Sequence, residues 1–427
     1  MSTRSKTLWA LILALSPAAA SAQPLGVFLS AAPRAAEVRE ADAVARQREA
    51  ERAQAMGRLL PAVTARLGYT RNQYEVGVTI PTGANATRAV ITPEDQLDAT
   101  LSLDVPLLDL GAWSRYGAAR EGADGARVRV ASATEGVRRT VARQWFTWVA
   151  ATALRDAATR AIDAADRAVT RTRNRAAAGA GSALDVLRAE SDAARARQRL
   201  ADAELTVDDA ARALRSLTGV EVGEAPPLVE DDLHEEGPLG AWEGGAEEAS
   251  SVRAARSDAR VSDAQARAAW FALAPTVNAT ATQRWTNAAG FGPSGSWAAG
   301  VALAWRLDVG AVASARAQEA AGAAARARLE RSTRDARDAV STAWNQVRAG
   351  IPRARAARAE EAASEGAART ARERLSTGAG TELEALLAER DAFSARVSRV
   401  QADADLGYAR VLLRIAAARR IEGEVTR

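Results

Sequence analysis

The sequence predicts a mainly α protein with a small β part, built from two structural repeats. Three observations carry that reading. Landmarks of the first half return in order in the second half. Two stretches, 112–177 and 312–377, are rich in Ala, Arg, Glu and Leu and hold one proline, Pro352, between them. Ahead of each stretch, short runs alternate apolar and polar residues with period two, the mark of strands with one apolar face.

The repeat is specific. Arg175, Gly179, Gly181, Ser182, Leu184, Asp185, Leu187, Ala189, Glu190 and Asp192 return as Arg374, Gly378, Gly380, Thr381, Leu383, Glu384, Leu386, Ala388, Glu389 and Asp391, at an offset of 199 residues. Asp109 and Gly111 return as Asp308 and Gly310 at the same offset. Pro61 and Val63 match Pro275 and Val277 at an offset of 214, so the first half carries about 15 extra residues between these landmarks. Self-similarity of this kind marks a duplicated supersecondary unit.

Taken in order, the chain opens with a secretory signal over 1–22. Arg4 and Lys6 form its basic region, Leu8 to Leu15 its apolar core, and Ala20, Ser21 and Ala22 its cleavage site. The apolar run is too short to span a bilayer as a helix, which takes about 20 residues. The first repeat, 23–218, reads as a helix, a strand pair at about 60–108, a long helix over 112–177 and a returning helix over 183–217. An acidic linker, 219–248, follows with Pro226, Pro227 and a cluster from Glu230 to Glu236. The second repeat, 249–427, reads as a helix to 273, a strand pair at about 275–308, a long helix over 312–377 and a helix over 382–419. At ~1.5 Å per residue the long segments would run roughly 100 Å as helices. That length packs side by side with other helices, and the abundant alanine suits close seams. Pro352 is expected to kink or bend the second long helix.

The strand pairs read as membrane barrel. In 62–71 the odd positions are Val63, Ala65, Leu67 and Tyr69, against Thr64, Arg66, Gly68 and Thr70. In 97–105 Leu97, Ala99, Leu101, Leu103 and Val105 alternate with Asp98, Thr100, Ser102 and Asp104. Val277, Ala279 and Ala281, then Trp297, Ala299, Val301, Leu303 and Trp305, repeat the pattern. A strand of about ten residues crosses an outer membrane at a tilt. Aromatics (Tyr69, Trp113, Trp270, Phe271, Trp285, Trp297 and Trp305) gather at the ends of the apolar runs, as barrel girdles do. Residues 72–96 and 286–295 read as polar surface loops. Four strands cannot close a barrel in lipid, where open edges are not tolerated. Copies must pool their strands: 8 for a dimer, 12 for a trimer, 16 for a tetramer.

Composition excludes several classes. With no cysteine there are no disulfides, thiolate metal sites or cysteine nucleophiles. His234 is the only histidine, so histidine-based triads and multi-histidine metal sites are absent, and it reads as a solvated loop residue in the acidic linker. No EF-hand spacing surrounds Asp231 and Asp232, and no glycine-rich loop is placed to cradle phosphate. The chain reads as no enzyme, without cofactor or metal. The 57 basic and 53 acidic residues are interleaved along helices, which argues against a nucleic-acid surface.

The two turns at 179–187 and 378–386, the Asp-x-Gly starts at Asp109 and Asp308, and Leu217-Thr-Gly219 together resemble the TolC-type outer membrane efflux proteins over essentially the whole mature chain. The resemblance implies a homotrimer with a 12-stranded transmembrane β-barrel, four strands from each chain, joined to a long periplasmic α-helical barrel in the outer membrane. It implies an exit duct for a tripartite efflux pump or a type I secretion system. Its partners would be outer-membrane lipid, a periplasmic adaptor protein and an inner-membrane pump. Carried over residue by residue, Gly179, Gly181, Ser182, Gly378, Gly380 and Thr381 form the adaptor-docking tip. Glu384, with Asp185 as its first-half counterpart, stands at the entrance constriction, while Leu387 occupies a position where a second acid is frequent. Tyr69, Trp285, Trp297 and Trp305 become membrane-interface aromatics. The turn motif is equally accounted for by glycine turns and helix caps, and the two acids by the helix dipole. The alternative class is a periplasmic coiled-coil adaptor or scaffold, which explains the long helices but not the strand pairs.

Overall fold

The computed structural model describes residues 23–82, 85–306 and 308–419, so the expected signal segment lies outside the described residues. In chain order the elements are α1 (Leu25–Ala31), α2 (Ala36–Gly57), β1 (Ala62–Arg71), β2 (Val76–Thr82), β3 (Asn85–Thr92), β4 (Asp95–Leu108), α3 (Leu110–Ala177), α4 (Ala183–Thr218), α5 (Gly240–Glu243), α6 (Ser250–Phe271), β5 (Thr276–Thr286), β6 (Gly295–Ala304), α7 (Val309–Ser376) and α8 (Glu382–Ala416). The chain divides into two compact units, and α3 and α7 each run through both.

One unit holds residues 37–135 and 243–339. Its sheet has the order β1-β4-β5-β6, antiparallel throughout. The register keeps the alternation in phase across all four strands. Val63 faces Leu103, Leu103 faces Ala281 and Ala281 faces Ala299. One face is therefore apolar from edge to edge, and Gln283 is its polar exception. The opposite face carries Thr64, Arg66, Ser102, Asp104, Thr280 and Thr282. Leu67 (80% exposed), Trp297 (78%) and Val301 (68%) show that the apolar face is uncovered within a single chain. Helix packing in this unit rests on small residues, among them Ala112, Ala123, Ala126, Ala259 and Ala268, with Val38 and Val252 as larger anchors.

The expected polar loop at 72–96 is instead a second hairpin. β2 pairs with β3 as a separate two-stranded sheet, and its base is closed by Asn72, whose N–H donates to Glu94 O at 2.8 Å and whose Nδ2 donates to Pro93 O at 2.8 Å. These residues account for the extra length of the first repeat. The hairpin was hidden because its return strand does not alternate, Ala89, Val90 and Ile91 being consecutive apolar residues.

The other unit holds residues 23–36, 136–242 and 340–419 among those described. Its large side chains concentrate where α1 lies against α3: Phe28 is fully buried and meets Trp148 edge-on at 6.1 Å between ring centroids. Val141, Val149, Leu214, Val347, Leu406 and Leu413 are also fully buried in this unit. Burying one such side chain stabilises by roughly 1.5–3 kcal/mol. Toward the helix turns the seam changes to Ala165, Val169, Ala189, Ala193 and Ala196. Gln23 ties down the start of the described chain: its side chain donates to Glu221 O (3.0 Å) and accepts from Gly223 N (2.9 Å), while its carbonyl accepts from Trp145 Nε1 (3.1 Å). α7 is continuous through Pro352, whose ring is on the exposed side next to buried Ile351. Residues 219–238, within the expected linker, have no regular secondary structure.

Candidate functional site

The two helix turns are built alike, each position for its own physical reason. Two residues past the end of α3 stands Gly179, whose φ of +74° is open to glycine without strain, and two past the end of α7 stands Gly378 with φ +78°. Ala180 N donates to Arg175 O at 2.8 Å and Gly179 N to Ala176 O at 3.0 Å. The same pair recurs as Ala379 N to Arg374 O (2.9 Å) and Gly378 N to Leu375 O (3.2 Å). This is the Schellman closure, which satisfies the last carbonyls of a helix. The second glycine of each turn serves close approach: a Cβ on Gly181 would sit 3.2 Å from Ala176 N, and on Gly380 3.1 Å from Arg374 Cβ. Ser182 and Thr381 then cap α4 and α8, each accepting from the N–H three residues on.

Asp185 and Glu384 complete reciprocal capping boxes. Asp185 Oδ2 accepts from Ser182 N at 3.2 Å, and Glu384 Oε2 accepts from Thr381 N at 3.1 Å. The Ser182 hydroxyl and then its N–H hold the Asp185 carboxyl below the usual carboxylate range. The two acids differ in charge environment. Arg188 stands 3.9 Å from Asp185, whereas Glu384 has no arginine within ion-pair distance among the described residues.

A third acid, Glu382, was not singled out by the sequence motif. Its side chain is only 13% exposed and lies between Arg171 (3.5 Å) and Arg175 (3.8 Å), one helical turn apart on α3. It couples the two turns, and that pairing is tertiary, with no local sequence signal. Just beyond the caps, Leu184, Leu187, Leu383 and Leu387 are 40–62% exposed. Four exposed leucines at the two turns form an apolar surface that water alone does not favour.

The aromatics occupy both ends of the apolar sheet face. Trp285 and Trp297 lie far from the helices, and Tyr69, opposite Leu97, lies with them; its hydroxyl donates to Asp95 at 2.8 Å. Trp305 is at the helical end, where its Nε1 donates to Leu273 O at 3.1 Å, near exposed Trp113, Trp270 and Phe271. From Trp297 to Trp305 the strand advances ~26 Å at ~3.3 Å per residue.

In the 219–238 segment His234 is exposed, as a loop residue should be, yet both ring nitrogens are engaged. Nδ1 is 2.5 Å from Asp232 Oδ1, and Nε2 is 2.9 Å from Arg410 Nη1. A guanidinium only donates, so Nε2 accepts and Nδ1 carries the proton. Asp231, Asp232 and His234 bring one potential ligand atom each within 4.8 Å. Arg410 donates to both Asp231 oxygens and to Glu236 (2.7 Å), so a fixed positive charge already occupies the position a cation would take. The donor set does not fit a metal.

Long helices closed by capped turns, and an antiparallel sheet with one uncovered apolar face, are the parts of an outer-membrane channel chain. The outer membrane efflux protein family model matches residues 29–220 and 246–419, and the chain belongs to that family. Among solved structures it is similar to CusC (17% identity, TM-score 0.79, covering 93% of this chain and 92% of that one). It is also similar to the outer-membrane protein VceC of Vibrio cholerae (18%, 0.77, 93% and 97%) and to the MtrE outer-membrane channel of Neisseria gonorrhoeae (19%, 0.74, 92% and 89%). A search of curated proteins found no match. Family membership makes the chain a passive outer-membrane efflux channel that extends into the periplasm rather than an enzyme, and leaves the adaptor or scaffold alternative without support.

Proposed function

We propose that the chain acts as a homotrimer and forms the exit duct of a tripartite efflux pump or a type I secretion system. The observation that carries this reading is the four-stranded sheet with an uncovered apolar face and two open edges. Because the set is antiparallel and even in number, β1 and β6 run in opposite directions. A β6 edge can therefore meet the β1 edge of a second copy in antiparallel fashion, and three copies give 12 strands. The separation of the aromatic ends, set against an apolar band ~25 Å tall in outer-membrane barrels, supports Tyr69, Trp285, Trp297 and Trp305 as interface residues.

The turns at Gly179–Ser182 and Gly378–Thr381 serve as the docking tip for a periplasmic adaptor, which connects to an inner-membrane pump. The exposed leucines beside the caps supply apolar contact area for that partner. Glu384, exposed and with no cationic partner among the described residues, supplies the negative charge of the entrance constriction, with Asp185 as a partly neutralised counterpart. Native mass spectrometry of the protein extracted from outer membranes in detergent tests the assembly. A trimer that conducts ions in planar bilayers is the expected result, and a soluble monomer would remove the reading.

A further inference from the structure

Four helices meet around an open cavity of about 330 Å³ above the turns, between the 157–165 stretch of α3, 192–199 of α4, 365–372 of α7 and 386–396 of α8. Its walls carry seven arginines and three acids. The acids are already engaged: Asp192 with Arg195, Glu365 with Arg396, and Glu389 with Arg372 at 3.7 Å. Arg160, Arg369 and Arg390 have no carboxylate or carbonyl partner among the described residues. Arg199 has none either; its guanidinium lies 4.7 Å over the Phe393 ring. Four uncompensated guanidinium groups thus surround an apolar floor of alanines, Leu386 and Phe393.

That combination selects a ligand chemistry. Like charges crowded around one space repel, and an anion entering it relieves the repulsion. Arginine forks match carboxylate geometry and stack on aromatic faces, which a point charge on lysine does not do. The alanine and phenylalanine floor gives no hydrogen bonds and favours a flat apolar body. The volume lies at the small end of ligand pockets, about 300–1,000 Å³.

We propose that this cavity is a binding site for a small amphipathic organic anion, an aromatic or aliphatic body bearing one or two carboxylates, held by Arg160, Arg199, Arg369 and Arg390. The site belongs to the chain itself and does not depend on which pump the duct serves. Ligand binding there would draw the two helical hairpins toward a common anion.

The test is calorimetric titration of the full-length protein in lipid nanodiscs with 2-naphthoate, beside its neutral analogue 2-naphthalenemethanol. Saturable binding of one naphthoate per chain is expected, weakened by added salt and at least tenfold tighter than the alcohol. The double variant Arg369→Gln/Arg390→Gln should lose at least tenfold in affinity with its oligomeric state unchanged by native mass spectrometry. Arg253→Gln, an exposed arginine in the other unit, should bind as the parent does. Equal binding of the alcohol, or an unaltered double variant, would overturn the site. Tighter binding of an acidic helical peptide than of naphthoate, lost in the same double variant, would reassign the cavity to a protein partner and likewise overturn the proposal.

Discussion

Arg410 grips Asp231 with two parallel contacts, Nε to Oδ2 at 2.6 Å and Nη2 to Oδ1 at 2.8 Å, and both side chains are nearly buried. Together with Glu236 this pins an otherwise irregular segment to α8. Asp231→Asn should cost stability toward the lower end of the ~3–5 kcal/mol typical of a broken buried pair, because Glu236 remains. Asp232, whose side chain is 73% exposed, should change stability by no more than ~0.5 kcal/mol when replaced by alanine. Thermal unfolding and limited proteolysis within 219–238 measure both. Equal effects of the two substitutions would contradict the clamp.

Gly407 allows Phe146 to lie against α8: a Cβ there would come within 2.5 Å of Phe146 Cε1. Phe146 is also held edge-on by Trp145 at 4.9 Å and Tyr408 at 6.4 Å, so it cannot easily move. Gly407→Ala should therefore destabilise by about 1–3 kcal/mol through overpacking. Gly366, in α7, has nothing within 4 Å of a Cβ, and Gly366→Ala should stabilise by up to ~1 kcal/mol through helix propensity. Thermal melts of the two variants should move in opposite directions.

The Asp185 capping box should outlast mild acid. Its folded carboxyl sits below its unfolded value, first through the Ser182 hydroxyl. A depressed carboxyl contributes stability above its unfolded pKa, about 3.9, and that stability fades as pH falls through the lower folded value. Hydrogen exchange of the amides from Asp185 to Leu187 should remain slow down to about pH 4 and speed up below it, after correction for intrinsic rates. Asp185→Ala should remove that dependence. A box that opens well above pH 4 would refute the assignment.

Glu384→Gln separates charge from capping. Glutamine at this position still completes a capping box, so the turn should fold normally. Cation preference, read as the reversal potential in a salt gradient across a planar bilayer, should fall. An unaltered reversal potential with an intact trimer would show that Glu384 acts only as a cap residue.

The legible features were those with local signals. Period-two alternation at Val63 to Tyr69 and at Trp297 to Trp305 reports a strand whose two faces meet different phases, and the sheet register keeps those faces continuous. The duplicated turns were visible because each demands particular residues, glycine for positive φ and a hydroxyl for the cap. Three features had no local signature. The β2–β3 hairpin returns on a strand that breaks the alternation, with Ala89, Val90 and Ile91 in a row. Glu382 meets Arg171 and Arg175 only after two hairpins have folded together. His234 looks like any loop residue until Arg410, 176 positions away, closes on it.

The uncovered sheet has a consequence for supply. A lone chain that has formed its helices still presents Leu67, Trp297 and Val301 to water, with both strand edges open. Such a species is vulnerable to aggregation and proteolysis, and pairing with its copies, as in the proposed trimer, would remove the hazard. For a threefold assembly, mass action makes the yield of finished ducts depend on the cube of the free chain concentration. Halving export would therefore cut duct formation far more than twofold, and periplasmic chaperones that lengthen the chain's waiting time would act as a gain control on efflux capacity.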